Sequence, residues 1–524
     1  MIAKWCSNSA RLWMYVALAC VAGNPWGSAA EQNTLQTAMA NRVDQLLAQR
    51  WEDASVKPMG LSSDTEFLRR VHLDLTGVIP TVNDVRQFLA DTRPDKRSQL
   101  IASLLARPNH ATHFANVWRS IMLRSDNAQQ QFGQAGNFEQ WLRGKFVDNV
   151  PYNQVVTELL TTNGNIQNGP ALFYTSLMNK PEELASSSSR IFLGVQISCA
   201  QCHDHPFDHW TRKDFWGYAA FFARLNQPQG AQQFVGNVVD ANVGEVTLPG
   251  SDEPVPPQFL GGSVAELAEG QSRRNALAAW ITSPQNPYFA KATVNRVWAL
   301  MFGRGLVEPV DDLGPHNLAS HPELLAELSN FFIDSGFDLR LLISTLAHTR
   351  AYQLSSEVPP SGEPAPELFA RMSIKSLNAE QIYDCLREAM RQRDSINPQQ
   401  QQFGRGFDQT RQAFLARFEA PTQAATEFQA GIPQALTLMN GAMIAQATNL
   451  ENSDVLNALE APFFTDQERV EILFMSTISR PPTSREQTQF ITYVETAAKA
   501  GTRRKALGDV LWALLNSGEF IFNH

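Results

Sequence analysis

The sequence predicts an all-α fold, mainly helical and multidomain, with a small β-hairpin insertion near residues 227–260. Three observations carry this. Capping residues precede stretches in which apolar residues recur every three or four positions, the period of a helix with one buried face. These stretches are short and joined by Pro, Gly and Asn turns. Residues 227–262 break the pattern, with alternation in QFVGNVVDANVGEVTL between the turn-rich segments QPQG and GSDEPVPPQFLGG.

The N-terminus carries Lys4 and Arg11 and no acid, then an apolar run over residues 12–23, then Gly27, Ser28, Ala29 and Ala30. This order is that of a secretory signal peptide over residues 1–30, with cleavage expected after Ala29 or Ala30. The run is shorter than the ~18–20 residues a bilayer span needs. A lipoprotein anchor at Cys20 is the weaker alternative, because Ala17-Leu18-Ala19-Cys20 is a poor lipobox and apolar Val21 and Ala22 come after it. The expected location is therefore outside the cytoplasm, periplasmic or extracellular, with no transmembrane span in the mature chain.

Residues 31–226 read as a helical domain. Ser63-Asp64-Thr65-Glu66 has the form of a capping box before Phe67, Leu68, Val71 and Leu75. Thr81 to Asp84 starts a second helix through Val85, Phe88 and Leu89, and Asp95 opens a third with Leu100, Ile101, Leu104 and Leu105. Trp118, Trp141 and Phe146 are expected in its core. Residues 227–270 read as the β-hairpin and a Pro-rich linker. Residues 271–524 form a second helical domain, resuming at Ser272. Within it, Ser320-His321-Pro322-Glu323 has the form of another capping box, and residues 357–364 (EVPPSGEP) a second linker. Residues 399–402 form a short polar tract, expected as a loop.

The chain has 524 residues, 43% hydrophobic and 18% charged, which excludes disordered, collagenous and coiled-coil classes. The net charge of −9 argues against a nucleic-acid partner, since polyanions select basic faces. Signal cleavage would remove two cations and two of the five cysteines, leaving Cys199, Cys202 and Cys385. No Gly-rich nucleotide loop, serine nucleophile elbow or H-E-x-x-H motif occurs.

One segment carries chemistry: Cys199-Ala200-Gln201-Cys202-His203-Asp204-His205-Pro206-Phe207-Asp208-His209-Trp210. Its C-x-x-C-H spacing is that of c-type haem attachment. Two thiols three residues apart can add to both vinyl groups of one haem, and the adjacent histidine can then ligate the iron. The chain's composition would yield this spacing by chance about 0.001 times per sequence of this length. Three readings stay open. Cys199, Cys202 and His203 hold a haem c. Alternatively His203, His205, His209, Asp204 and Asp208, with the thiols, hold a bare zinc or copper ion. Or the cysteines form a local disulfide and His203-Asp204-His205 a structural turn. Under the haem reading, His209, Met178, His113 and Met122 are candidate distal ligands. Trp210, Phe215, Trp216, Tyr218, Phe221 and Phe222 suit either a porphyrin wall or an ordinary core.

Several long segments resemble a known family. Residues 67–81 (FLRRVHLDLTGVIPT), 138–160 (FEQWLRGKFVDNVPYNQVVTELL) and 181–222, which include CAQCHDHPFDHW, resemble the second planctomycete cytochrome-associated domain. Residues 287–356, with IPQALTLMNG (432–441) and LLNSGEFIFNH (514–524), resemble the planctomycete-specific domain that usually comes after it. The resemblance covers nearly all of the mature chain. It implies an extracytoplasmic protein of unestablished biochemical role, with haem attachment presumed at the C-x-x-C-H. Members often carry a separate N-terminal cytochrome domain, absent from this sequence, and cysteines before the stretch matching IPQAL, where Ala424-Ala425-Thr426-Glu427 stands here.

The later half offers Asn295, Arg296, Arg304, Asp311, Asp312, His316 and His321 as polar candidates. Paired acids at Asp311 and Asp312 suit a cation or acid–base work. An ion pair from Arg296 or Arg304 that locks the turn is the simpler expectation. Cys385 is expected as a buried small hydrophobe. The functional expectation is a redox or electron-transfer protein with a redox partner protein, with a carbohydrate-acting pathway as the candidate it would serve. Its alternatives are a metal-ion-dependent enzyme and a non-catalytic surface or assembly protein.

Overall fold

The computed structural model describes residues 29–123, 128–226, 237–268, 270–360, 362–391, 409–418, 441–451 and 453–524. The signal segment, the polar tract at 399–402, residues 227–236 and most of the stretch around IPQAL lie outside them. Helices dominate. In chain order they begin α1 (Ala29–Asp53), α2 (Asp64–Thr76), α3 (Val82–Ala90), α4 (Lys96–Leu105), α5 (Pro108–Met122), α6 (Ala128–Val147), α7 (Tyr152–Thr161), α8 (Ala171–Thr175) and α9 (Pro181–Ser188). After a π turn (Ser189–Leu193) and a 3-10 turn (Ser198–Gln201) come α10 (Arg212–Ala219), α11 (Arg273–Ile281), α12 (Phe289–Phe302), α13 (Pro322–Asp334), α14 (Leu339–His348) and α15 (Ala379–Ala389). Shorter and longer helices continue to the C-terminus, among them Asp466–Ile478 and Arg503–Leu515.

The two described sheets have two antiparallel strands each. β1 (Gly164–Asn165) pairs with β2 (Asn237–Val238), and β3 (Lys375–Ser376) with β4 (Phe522–Asn523). The β element expected near 227–260 is therefore small, and its strand pairs backwards onto the loop after α7. Within the 227–270 segment, isolated antiparallel bridges join Thr247 to Pro254 and Gln258 to Val264.

Helix starts obey local chemistry to different degrees. Thr81 and Asp84 exchange both bonds of a capping box, as their spacing predicts. Ser63 accepts from the Glu66 amide at 3.2 Å, but the Glu66 carboxylate does not return to it. That carboxylate turns instead to Arg70 and to the Ser356 amide (2.7 Å), because a buried guanidinium competes for it. The box expected at Ser320 is absent. His321 stands at the cap position, Ser320 donates to the Leu306 carbonyl at 3.1 Å, and Glu323 reaches Arg42 of α1.

Two hydrophobic cores result. The first runs from Val43 to Met372 and takes side chains from both sides of the 227–270 segment. Tyr152 stacks on Phe289 at 5.5 Å, and Arg274 of α11, 2% exposed, donates to the Thr162 carbonyl and to Asp240. α1 lies on α13 and α14, with Arg42 bridging to Glu327 and Asp44 accepting from the Arg350 and Ala351 amides. The second core gathers residues 377–520 and takes Leu73 and Ile79 from the end of α2 and the loop after it. Cys385 is buried there, as expected, and burial pushes its thiol up to about 12. Trp118 is also buried as expected, while Trp141 packs at the core edge and donates to Glu158.

The cores meet at Asp74. Its carboxylate accepts from Lys375 Nζ (2.6 Å), Tyr352 OH (2.8 Å) and Asn523 Nδ2 (2.7 Å). Asp74→Ala leaves the mostly buried Lys375 ammonium without its counter-charge and is expected to destabilise the fold by ~3 kcal/mol, read as a fall in thermal midpoint by circular dichroism. Equal midpoints for variant and parent would refute this role. Burial also lowers His72 to about 3, and His110 and His321 to about 4. Their unfolded values lie near 6.5, so the unfolded chain binds more protons between those limits. Stability is expected to be fully present above about pH 6.5 and to fall as the pH drops toward 4. A flat urea midpoint from pH 7 to pH 5 would contradict it.

Candidate functional site

The C-x-x-C-H segment leaves the first core as a surface turn. Ile197 and Ala200 are buried and anchor the 3-10 turn, while Cys199, Cys202 and His203 face solvent. Both thiols are free. Three bonds hold residues 201–212 in place. Trp216 Nε1 of α10 donates to the Gln201 carbonyl at 3.1 Å. The His205 amide donates to the Trp210 carbonyl at 2.8 Å, closing a six-residue loop. The Asp204 carboxylate accepts from the Arg212 amide at 2.9 Å, in the first turn of α10. Thr211 and Asp214 form a capping box that fixes where that helix begins.

His203 is oriented by its neighbour. Its Nδ1 lies 2.8 Å from the Asp204 carbonyl oxygen. A carbonyl only accepts, so Nδ1 carries the proton and Nε2 is the free lone pair. His205 Nδ1 accepts from the Phe207 amide at 3.3 Å. The aromatic run splits by position. Trp210, Phe215, Tyr218, Phe221 and Phe222 are buried in the first core, and Trp216, partly exposed, donates to Gln201 of the motif. His113 packs against Gly77 and edge-on to Phe114, and Met122 is buried among α5 neighbours.

The structure brings the second half of the motif against residues 308–317. Asp208, its side chain only 4% exposed, accepts from the His209 backbone amide at 2.7 Å, and its carboxylate lies 2.6 Å from His209 Nδ1 and 3.9 Å from His316 Nδ1. His316 Nε2 in turn donates to Asp312 at 3.2 Å. Asp311 pairs with Arg190 of the π turn at 2.9 Å. The expected partner, Arg296, instead donates to the carbonyls of Arg190 and Ile191, and its charge is drawn inward because α12 packs on that turn. Asn295 likewise serves the backbone, bonding the Val307 and Val310 carbonyls. His321 is buried at the start of α13. One residue enters the site without any local sequence signal: Arg190, whose partner Asp311 lies 121 positions away.

Two glycines permit this approach. Gly194 has φ +64°, and the Leu313 amide donates to its carbonyl at 2.7 Å. At Gly314 a Cβ would run into the His316 ring and stand 2.9 Å from Asp208 Oδ2. Among the described residues, no group of three or more His, Cys, Asp or Glu side chains is gathered to hold one metal ion. A cavity of about 810 Å³ lies away from the motif, between the cores, lined by Arg86, Asn116, Glu380 and Arg387 among others.

Residues 42–227 match the family model PSCyt2, described as a protein of unknown function (DUF1549), and residues 273–494 match PSD1, likewise a protein of unknown function (DUF1553). The chain carries a PSCyt2 region followed by a PSD1 region. No curated protein and no solved structure matches it. The order of the two matches is the one the sequence resemblance implied. The first match contains the whole motif, and the second contains Asp311, Asp312 and His316, so the Asp208 cluster joins the two matched regions. Among the described residues, no helix is long and apolar enough to cross a membrane.

Gly314→Ala is expected to push the 308–317 loop off Asp208 at a cost of ~1–3 kcal/mol. The check is thermal melting of the variant beside a Gly60→Ala control, whose position has open space around it and no positive φ. Equal behaviour of the two would show that the loops do not meet as closely as described.

Proposed function

We propose that the protein is an exported redox protein that carries one haem c on Cys199, Cys202 and His203 and exchanges electrons with a partner protein. The supporting observation is the state of the motif. Two exposed free thiols stand beside a histidine whose Nδ1 is committed to a backbone carbonyl, leaving Nε2 for a metal. That is the tautomer an axial ligand needs.

The donor inventory favours this reading over a bare ion. Zinc or copper held by protein alone takes three or four side-chain ligands, and no such trio is assembled among the described residues. A covalent haem brings its own four nitrogens and asks the chain for one. When bound, the haem supplies one-electron redox chemistry. The chain's part is to anchor and orient. Cys199 and Cys202 would supply the thioether links, and the Asp204 carbonyl fixes the His203 ring. Trp216 and the Asp204–Arg212 bond keep the turn from unwinding. The exported location rests on the N-terminal basic–apolar–small order, and haem attachment outside the cytoplasm agrees with it.

Expression with cytochrome c maturation proteins is expected to give a Soret band, sharp α and β bands on dithionite reduction, and a mass gain of about 0.6 kDa. Cys199→Ser with Cys202→Ser is expected to abolish the covalent mass gain. His203→Ala is expected to keep the mass gain but shift the reduced bands. A folded, exported protein with a featureless visible spectrum and two titratable exposed thiols would overturn the proposal.

A further inference from the structure

From the cavity between the two cores we infer a binding site, separate from the C-x-x-C-H motif, for a small uncharged molecule carrying several hydroxyl groups, such as a neutral sugar or polyol. The cavity holds about 810 Å³, within the ~300–1,000 Å³ of ligand pockets. Both matched regions build it. The first gives the loop after α2 and parts of α3 and α5, and the second gives α15 and side chains from residues 455–476.

α5 lines this cavity with a stripe of uncharged polar groups. Asn109, Thr112 and Asn116 recur at helical spacing and all border it. Asn109 is exposed, Thr112 half-buried and Asn116 buried, so the stripe runs inward from the mouth. Asn116 is 6% exposed, and its Oδ1 has no hydrogen-bond partner among the described residues. An amide oxygen buried without a donor is costly to the fold, and a ligand hydroxyl would supply the missing bond. Asn and Thr side chains both donate and accept, as a hydroxyl does. A row of hydroxyls therefore meets the stripe without a fixed order of donors and acceptors.

The charges of the described lining argue against an ion. Arg86, Arg387 and Arg391 stand against Glu380, Asp384 and Glu388. Glu380 pairs with Arg119 at 2.6 Å, Glu380 and Asp384 both act on the buried Arg411, and Arg86 acts on Glu468. A charged ligand would lose its hydration and meet as much opposition as attraction. Burial first and the Asp84 charge second raise the Glu388 carboxyl from its ordinary value, and Arg391 offsets only part of this. A carboxyl so placed gains from a hydroxyl that brings no charge. Val78, Leu459 and Ile472 complete the wall and suit the C–H face of such a molecule.

The test is isothermal titration of the full exported chain with a panel of neutral mono- and disaccharides and inositol, beside glucose 6-phosphate and glucosamine as charged analogues. Saturable binding is expected for at least one neutral member, with both charged analogues at least ~10-fold weaker than that member. Asn116→Leu is expected to weaken binding by at least ~10-fold while keeping or raising the thermal midpoint, since it removes the unpartnered amide. An amide with a purely structural role would instead lower the midpoint and leave affinity alone. Glu388→Ala, at a partly exposed position, is expected to weaken binding by a similar factor. No binding by any neutral member, tighter binding of a charged analogue, or full affinity in both variants would overturn the inference and leave the haem proposal untouched.

Discussion

Asp74 receives its three hydrogen bonds from residues 278, 301 and 449 positions further along the chain. They come from the segment after α14, from β3 and from the C-terminal strand β4. No local rule of helix or turn formation brings such groups together. A carboxylate shut away from water must find donors, and a lysine shut away from water must find an acceptor. Each satisfies the other only when both cores are assembled. Arg69 and Arg70, both 1% exposed, extend the constraint. Arg70 donates to the Tyr352 and Leu354 carbonyls on the side of the first core, and Arg69 to the Thr477 and Phe520 carbonyls on the side of the second. α2 is thus buried on every face, with polar side chains aimed both ways. A helix of that kind is set by what surrounds it, not by its own amphipathicity.

The candidate site sits at the other end of the same logic. Its motif is anchored where it touches the first core and open where it presents its thiols. Ile197 and Ala200 go inward, so Cys199 and Cys202 go outward. The Asp204–Arg212 and Gln201–Trp216 bonds tie the turn to α10, a helix whose own start is fixed by a capping box. The later loop reaches the motif because α12 packs on the π turn. That brings Gly194 to Leu313, Arg190 to Asp311 and Asp208 to His316. The two matched family regions therefore share one surface, built from loops that each would leave incomplete.

Much of the local structure is legible in the sequence. Thr81–Asp84 reads as a helix start and is one, closed by a capping box, and the apolar stripes of α2 to α4 face the first core as their spacing predicts. Local rules fail where a distant charge competes. Glu66 leaves Ser63 for Arg70, and Glu323 leaves Ser320 for Arg42. Both carboxylates gain a charged partner in place of a neutral one, the stronger bond of the two. The aromatic run after the motif is ambiguous in sequence because a core and a porphyrin wall want the same side chains. Burial in the first core resolves five of its six members.

By itself, the sequence determined the helical class, the order of the two matched regions and the C-x-x-C-H spacing, because these depend on residue type at fixed short spacing. The free Nε2 of His203 is also nearly local, set by a carbonyl one residue away. Only the tertiary structure decided that Asp208 faces His316 across 108 positions and that Asp311 answers to Arg190. The physical reason is the same in each case. Charges buried by packing pair with whatever the cores bring within reach, and sequence separation carries no information about that reach.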